Sequence, residues 1–313
     1  MKQKVIFLHR RGHSAIGSKI MRCDQLAEIC NRYLGDRYEF EVRSQRPIRD
    51  DQILRRSVRA LDGHIVVLLK GTAKLFGVKG MEMMHARARG ICIDYVDAKP
   101  SACYSPFAHI HIAASFAGLR VLENLLAGAE SAANAPQVMH LTHHADPRLA
   151  GRRARQAKTV RSVYLGQPGN VYLPPDAALR VDCLKYSDDQ DIAEVFDALQ
   201  DYNLHYCVRP ADVRARAQGV TKPFTKGFTA ATLGAQVMTA RDTHDAEFYL
   251  GADYPFLLND LEDQTILEGL DKARDLYGTP EWDQALERLD HVLDLTRPER
   301  IANEIDDILS RFV

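Results

Sequence analysis

Residues 205–240 read HYCVRPADVRARAQGVTKPFTKGFTAATLGAQVMTA, and this stretch decides the fold. It begins as a strand, because Leu204, Tyr206 and Val208 alternate with His205, Cys207 and Arg209. A basic, polar loop follows. Lys222-Pro223 is expected to open a helix, since proline is pre-set for the first helical turn and has no N–H to leave unsatisfied there. Thr221 beside it is a candidate cap. The helix is expected to run to Gly234, a stop signal, and Val237-Met238 to form the next buried strand. Between residues 209 and 226 stand Arg209, Arg214, Arg216, Lys222 and Lys226 against a single acid, Asp212. The formal charge of the whole chain is only −1, so this excess is local. Cations converging on a helix N-terminus at the end of a strand make an anion site, because free N–H groups, dipole and side-chain charge all act in one direction. In an open α/β sheet, ligands bind at that edge. The plainer alternative is a solvated basic turn.

At 313 residues the chain has room for one large domain or two of ordinary size. Apolar residues make up 46% and charged residues 27%, the balance of a globular protein and not of a disordered one. Near-neutral charge argues against a nucleic-acid binder. The six cysteines are scattered without a C-x-x-C pair, so they read as small core residues and not as a disulfide frame or zinc site. The opening MKQKVIFLHRRGHS has only a short apolar run, which reads as a first strand and not as a signal peptide. No stretch is long enough to span a bilayer. The expected location is therefore cytoplasmic, with peripheral membrane contact still open.

Outward from the deciding stretch, the chain repeats one pattern. Residues 5–8 are an all-apolar run, as in a parallel strand covered on both faces. A glycine-bearing loop, residues 10–18, leads to a helix with Ile20, Cys23, Ala27, Cys30 and Leu34 on one side. Further strands are expected at residues 38–42, 64–69, 91–93, 108–113 and 137–141, with helices at 50–61, 81–89 and 116–127. This alternation predicts a parallel sheet with helices on both faces. Residues 143–158 are polar and basic without apolar periodicity, as in a linker. The pattern then restarts, with strands at 162–166 and 181–184 and a helix at 191–199. Two helical repeats, Trp282 to Leu293 and Ile301 to Phe312, meet at Pro298. The expected fold class is α/β, with two Rossmann-like domains facing a cleft. The domains expected are 1–145 and 158–295, with 296–313 a C-terminal helix that crosses back onto the first.

Candidate chemistry follows from placement. Arg209, Lys222 and Lys226 are candidates to hold a diphosphate. Lys222 and Lys226, four residues apart, would share a helix face. Thr225 and Thr229 lie one turn apart beside them and can hydrogen-bond a phosphate or ribose. Gly166 and Asn170 bound a loop, Gly-Gln-Pro-Gly-Asn, where the backbone turns sharply or approaches a ligand. Glu247, after the strand ending near Met238, is a candidate for sugar hydroxyls, with helix capping as the alternative. For acid–base work His13 and Asp97 come first. His13 is in the first glycine loop, and Asp97 is expected to end a strand. Asp24, His140, His143 and His144 are further titratable groups, but no third ligand type at zinc spacing accompanies the histidines, so no metal or cofactor is expected.

With these residues in place, the chain resembles the GT-B glycosyltransferases. The resemblance lies in KPFTKGFTAATLGAQV, residues 222–237, which is similar to a "KP-x-TK…A…G-x-P-V" segment of some bacterial members. Residues 245–255 and Arg209 extend it. It covers the second half of the chain well and the first half in layout only. It implies a donor nucleotide held by the C-terminal domain, with Arg209, Lys222 and Lys226 stabilising the diphosphate leaving group. It implies an acceptor, saccharide, lipid-linked or protein, on the N-terminal domain, in cell-surface polysaccharide or glycoconjugate synthesis. The Glu-x7-Glu pattern of many retaining members is absent, since Thr221 and Thr229 stand near those positions. No Asp-x-Asp metal motif is present, which agrees with metal-independent transfer. Two alternatives remain: another enzyme on the same scaffold, such as a nucleotide-sugar epimerase or a pyruvyl transferase, and a catalytically silent nucleotide-binding protein.

Overall fold

The computed structural model describes residues 2–12, 17–127, 136–185, 192–210 and 218–313. The His13 candidate lies outside these residues, as do Asp212, Arg214 and Arg216. The chain divides into two compact units. The first comprises Met1–His143, Val213–Pro223 and Pro298–Val313; the second comprises His144–Asp212 and Phe224–Arg297.

The first unit is built on six parallel strands in the order β2-β1-β3-β4-β5-β6. These are β1 (Gln3–Arg10), β2 (Tyr38–Gln45), β3 (Ile65–Leu69), β4 (Gly90–Asp94), β5 (Ile110–Ala113) and β6 (Gln137–His140). Every residue of β3, β4 and β5 is buried, the mark of central strands covered on both faces. One side of the sheet carries the C-terminal helix Pro298–Leu309. Its Ile301, Ile305 and Ile308 share a core with Leu26 and Cys30 of the helix Leu26–Leu34. The last residues close over the N-terminal end of β4, because a Cβ on Gly90 would overlap the Phe312 ring. The tail of the sequence, Pro298–Val313, thus belongs to the first unit.

The second unit has five strands in the order β11-β10-β9-β7-β8. They are β7 (Ser162–Leu165), β8 (Val181–Leu184), β9 (Leu204–Tyr206), β10 (Gln236–Ala240) and β11 (Leu257–Leu258), all parallel. The chain passes from β7 outward to β8, then returns to place β9 on the other side of β7. That reversal is a topological switch point, where the loops after β7 and β9 leave toward opposite faces and open a crevice at the strand C-termini.

Several local expectations change. The helix of the deciding stretch spans Thr225–Leu233 and does not begin at Lys222-Pro223. Phe224 stands at its N-cap with ψ 39°, outside helical geometry, and no side chain caps it. The Phe224 ring is buried, stacked on Tyr249 at 5.6 Å between centroids. Packing of that ring sets the helix start, and Gly227 makes room for it. Thr221 therefore caps nothing; its hydroxyl lies 3.4 Å from Ser115 Oγ. Lys222 precedes the helix and belongs to the first unit, so it shares no helix face with Lys226. Gly234 does end the helix, in the left-handed region at φ 66°. Asp97 does not end a strand either: β4 stops at Asp94, and Val96 turns the chain with φ 54°. The expected linker is tied down, since Arg152 pairs with Asp197 at 2.8 Å and Arg155 with Asp201 at 2.5 Å.

Candidate functional site

At the switch point of the second sheet, β7 ends at Leu165 and the chain turns through Gly166 at φ 146°. A Cβ there would stand 2.8 Å from the Tyr164 hydroxyl and 3.1 Å from Lys226 Nζ, so only glycine fits without displacement. Lys226, in the first turn of the helix Thr225–Leu233, reaches across and donates to the Leu165 carbonyl. Its ammonium lies 4.1 Å from the centroid of the Tyr164 ring, a cation–π contact. Tyr164 in turn donates to the Gln167 carbonyl at 2.9 Å, which fixes the loop after β7.

From β9 come His205 and, just beyond its end, Cys207 and Arg209. A small cavity of about 20 Å³ is lined by Leu165, His205, Cys207, Lys226 and Thr229. Burial pushes the Lys226 ammonium down from 10.5 to about 8, with the nearby Arg209 charge acting in the same direction. His205 is buried; desolvation takes its pKa down to about 3, and its Nε2 has no hydrogen-bond partner among the described residues. It is therefore a neutral imidazole beside the lysine. Burial also raises the Cys207 thiol to about 11, so it is not a thiolate at neutral pH. The positive charge of this site belongs to Lys226 and Arg209. Arg209 makes no hydrogen bond or ion pair with the described residues.

Gly166, Arg209, Lys226 and Thr229 are thus gathered at one strand edge, beside the N-terminal N–H groups of a nine-residue helix. The arrangement sets two cations beside the N–H groups of a helix N-terminus, which favours negative charge there. Thr229 donates its hydroxyl to the Thr225 carbonyl at 3.1 Å and keeps its oxygen lone pairs. Thr225 is the first residue of the helix. Asn170 is exposed at the end of the short turn Pro168–Asn170. Glu247 is exposed and pairs with Arg241 at 2.6 Å, so its carboxylate is already engaged. Asp97, in the first unit, pairs with Lys70 at 2.5 Å.

Sequence reasoning missed Tyr164 and His205 as neighbours of Lys226. The contact between Lys226 and Leu165 joins residues 61 apart in sequence, and no local periodicity reports it. Among the described residues, no three His, Cys, Asp or Glu side chains gather as a metal ion would require, and no helix is long and apolar enough to cross a membrane.

No protein-family profile matches the sequence, and no curated protein matches it either. Solved structures do match. A glycosyltransferase from Rickettsia africae ESF-5 superposes with a TM-score of 0.67 at 6% identity, over 99% of this chain and 98% of that one. The apo form of the lipopolysaccharide outer core galactosyltransferase WaaB superposes with a TM-score of 0.63 at 10% identity, over 98% of this chain and 100% of that one. A chain of the GtfA/B complex superposes with a TM-score of 0.55 at 12% identity. That match covers 83% of this chain but only 60% of the GtfA/B chain. Two parallel α/β sheets in this connectivity, and these likenesses, define the GT-B glycosyltransferase fold.

Proposed function

We propose that the protein transfers a sugar from a nucleoside-diphosphate sugar to an acceptor hydroxyl, without a metal ion. The observation that carries this reading is Lys226, held with Arg209 at the helix N-terminus on the switch point of the second sheet. In such a transfer the bond from the anomeric carbon to the diphosphate oxygen breaks, and negative charge collects on the departing diphosphate. Lys226 and Arg209 would meet that charge in a site already fixed by Tyr164 and Gly166, which is electrostatic catalysis by preorganised groups. The acceptor hydroxyl loses its proton as it attacks. His13 and Asp97 are the candidate bases carried from the sequence. Cell-surface polysaccharide or glycoconjugate synthesis in the cytoplasm is the setting that the resemblance favours.

The reading is tested with radiolabelled UDP- and GDP-sugars, following both transfer and slow donor hydrolysis. Either product, lost in Lys226→Ala, supports it. Donor conversion to a different sugar nucleotide without any acceptor overturns it in favour of an epimerase.

The lysine also sets a pH dependence. An anion binds the ammonium, so nucleoside-diphosphate affinity is expected to fall as pH rises through about 8, where Lys226 loses its proton. Tyr164, raised to about 12, and Cys207, near 11, titrate above this window, and His205, near 3, below it. Calorimetry from pH about 7 to about 9 should therefore show a single weakening, absent in Lys226→Arg, because arginine stays charged. An affinity flat across that range in the wild type contradicts the assignment. Stability moves the other way. The folded lysine gives up its proton near 8 and the unfolded one near 10.5, so between these values the unfolded chain binds more protons and Lys226's contribution to stability rises with pH.

A further inference from the structure

A second basic surface lies wholly within the first unit. β2 runs out through Arg46, Pro47 and Arg49 to the helix Asp51–Arg59, and the ends of β1 and β2 are tied by Arg11 N donating to Gln45 O at 2.8 Å. Between them is an open depression of about 950 Å³. Its lining includes Arg11, Arg43, Arg46, Arg49 and Arg56 and not one acid. Leu8, Pro47 and Leu61 give it an apolar floor. The acids nearby are committed elsewhere. Glu41 is bound by Arg43 and Lys4, Asp51 pairs with Lys79 at 2.5 Å, and Asp50 caps the helix by accepting from Ile53 N at 2.8 Å. Arg11, Arg46, Arg49 and Arg56 make no side-chain hydrogen bond or ion pair with the described residues.

Scattered surface arginines need no explanation, but this group is concave, of one sign, and set in a chain that is otherwise electrically balanced. A cleft lined by one sign of charge over a low-polarity floor focuses the field and concentrates counter-ions. Guanidinium groups match phosphate in geometry, since two N–H donors meet two oxygens. From this geometry we infer that the depression between β2 and the helix Asp51–Arg59 binds a multiply charged phosphate group, carried either by a soluble phosphorylated molecule or by a lipid headgroup.

The probe is inorganic pyrophosphate, titrated calorimetrically into the full chain. Three proteins are compared: wild type, Arg46→Gln/Arg49→Gln/Arg56→Gln, and Lys226→Ala. Wild type is expected to bind pyrophosphate at two sites. The triple variant should lose one of them, with affinity there down at least tenfold, and Lys226→Ala should lose only the other. A triple variant with wild-type stoichiometry and affinity overturns the inference and leaves the donor reading standing. The reverse loss, in Lys226→Ala alone, does the same. Lys158→Gln/Lys272→Gln/Arg297→Gln, exposed cations in the second unit, is the charge-matched control and should bind as wild type. Equal loss in that control means diffuse charge and overturns the inference. Co-sedimentation with phosphatidylcholine vesicles, with and without phosphatidylglycerol, separates the sources. Sedimentation with the anionic vesicles that the triple variant loses assigns a lipid headgroup. No sedimentation, with pyrophosphate binding intact, assigns a soluble phosphate. Vesicle binding equal in wild type and triple variant counts against the depression.

Discussion

Lys226→Ala is expected to lower turnover of a nucleoside-diphosphate sugar roughly 10²–10³-fold, about 3 kcal/mol in the barrier, the usual loss for one preorganised contact to developing charge. The size of the effect follows from position. Lys226 is threaded between the Leu165 carbonyl and the Tyr164 ring and has little freedom to reorganise when charge appears. Its burial raises the cost of holding the ammonium without an anion and strengthens its interaction with one. Folding should not suffer in the variant, because the buried cation is itself a burden on the free protein. A loss of turnover with an unchanged melting temperature is therefore the expected pair of results, and Arg209→Ala should behave likewise. Wild-type turnover in Lys226→Ala would remove the lysine from the mechanism.

The second large effect concerns the fold of the first unit. Arg22, in the π-helical turn Ile20–Gln25, has 0% side-chain exposure, and Asp94, at the end of β4, has 1%. Arg22 Nε donates to Asp94 Oδ2 at 2.7 Å, and its Nη1 donates to the Thr142 carbonyl at 3.1 Å and to that of Leu141 at 3.3 Å. The pair clasps the π-helical turn, the end of β4 and the chain leaving β6. Asp94→Asn leaves a buried guanidinium with no carboxylate beside it. Removing one partner of a buried pair costs about 3–5 kcal/mol, which at two to four degrees per kcal/mol for a unit of this size lowers the melting temperature by roughly 10 °C. Replacing both partners, Arg22→Met with Asp94→Leu, should restore most of that loss, because two apolar groups leave no charge stranded. A melting temperature for Asp94→Asn within a degree or two of wild type would show that the pair is not buried as described.

The sheets were legible because burial leaves a direct mark on composition. Residues 5–8, 65–69 and 91–93 are continuous apolar runs, and they are central strands. Strand order was less legible: nothing in a run such as residues 162–165 states that β9, and not β8 alone, will lie beside it. The helix start was misplaced because the proline rule is local, whereas the start is set by a ring, Phe224, packed on Tyr249 from 25 residues later. Of the candidate site, Gly166 follows the end of β7, Arg209 lies just beyond β9, and Lys226 is in the first turn of the helix Thr225–Leu233. What made Lys226 unusual was invisible, since Tyr164 and His205 come from other strands. The Arg22–Asp94 pair, 72 residues apart, left no trace in either local pattern. In the sequence, Arg56 falls on the helix expected at 50–61, and Arg46 and Arg49 have no assigned role; the depression that gathers them exists only once β2 is paired with β1.

The central claim is that Lys226 and Arg209 hold the diphosphate of a nucleotide donor. Its most direct test is thermal unfolding of the wild type and of Lys226→Ala with UDP, GDP, dTDP, CMP and ADP, since a ligand bound only by the folded chain raises apparent stability by mass action. At least one diphosphate should raise the melting temperature of the wild type, with a markedly smaller rise in Lys226→Ala. No shift with any nucleotide, or the same shift in both proteins, would contradict it.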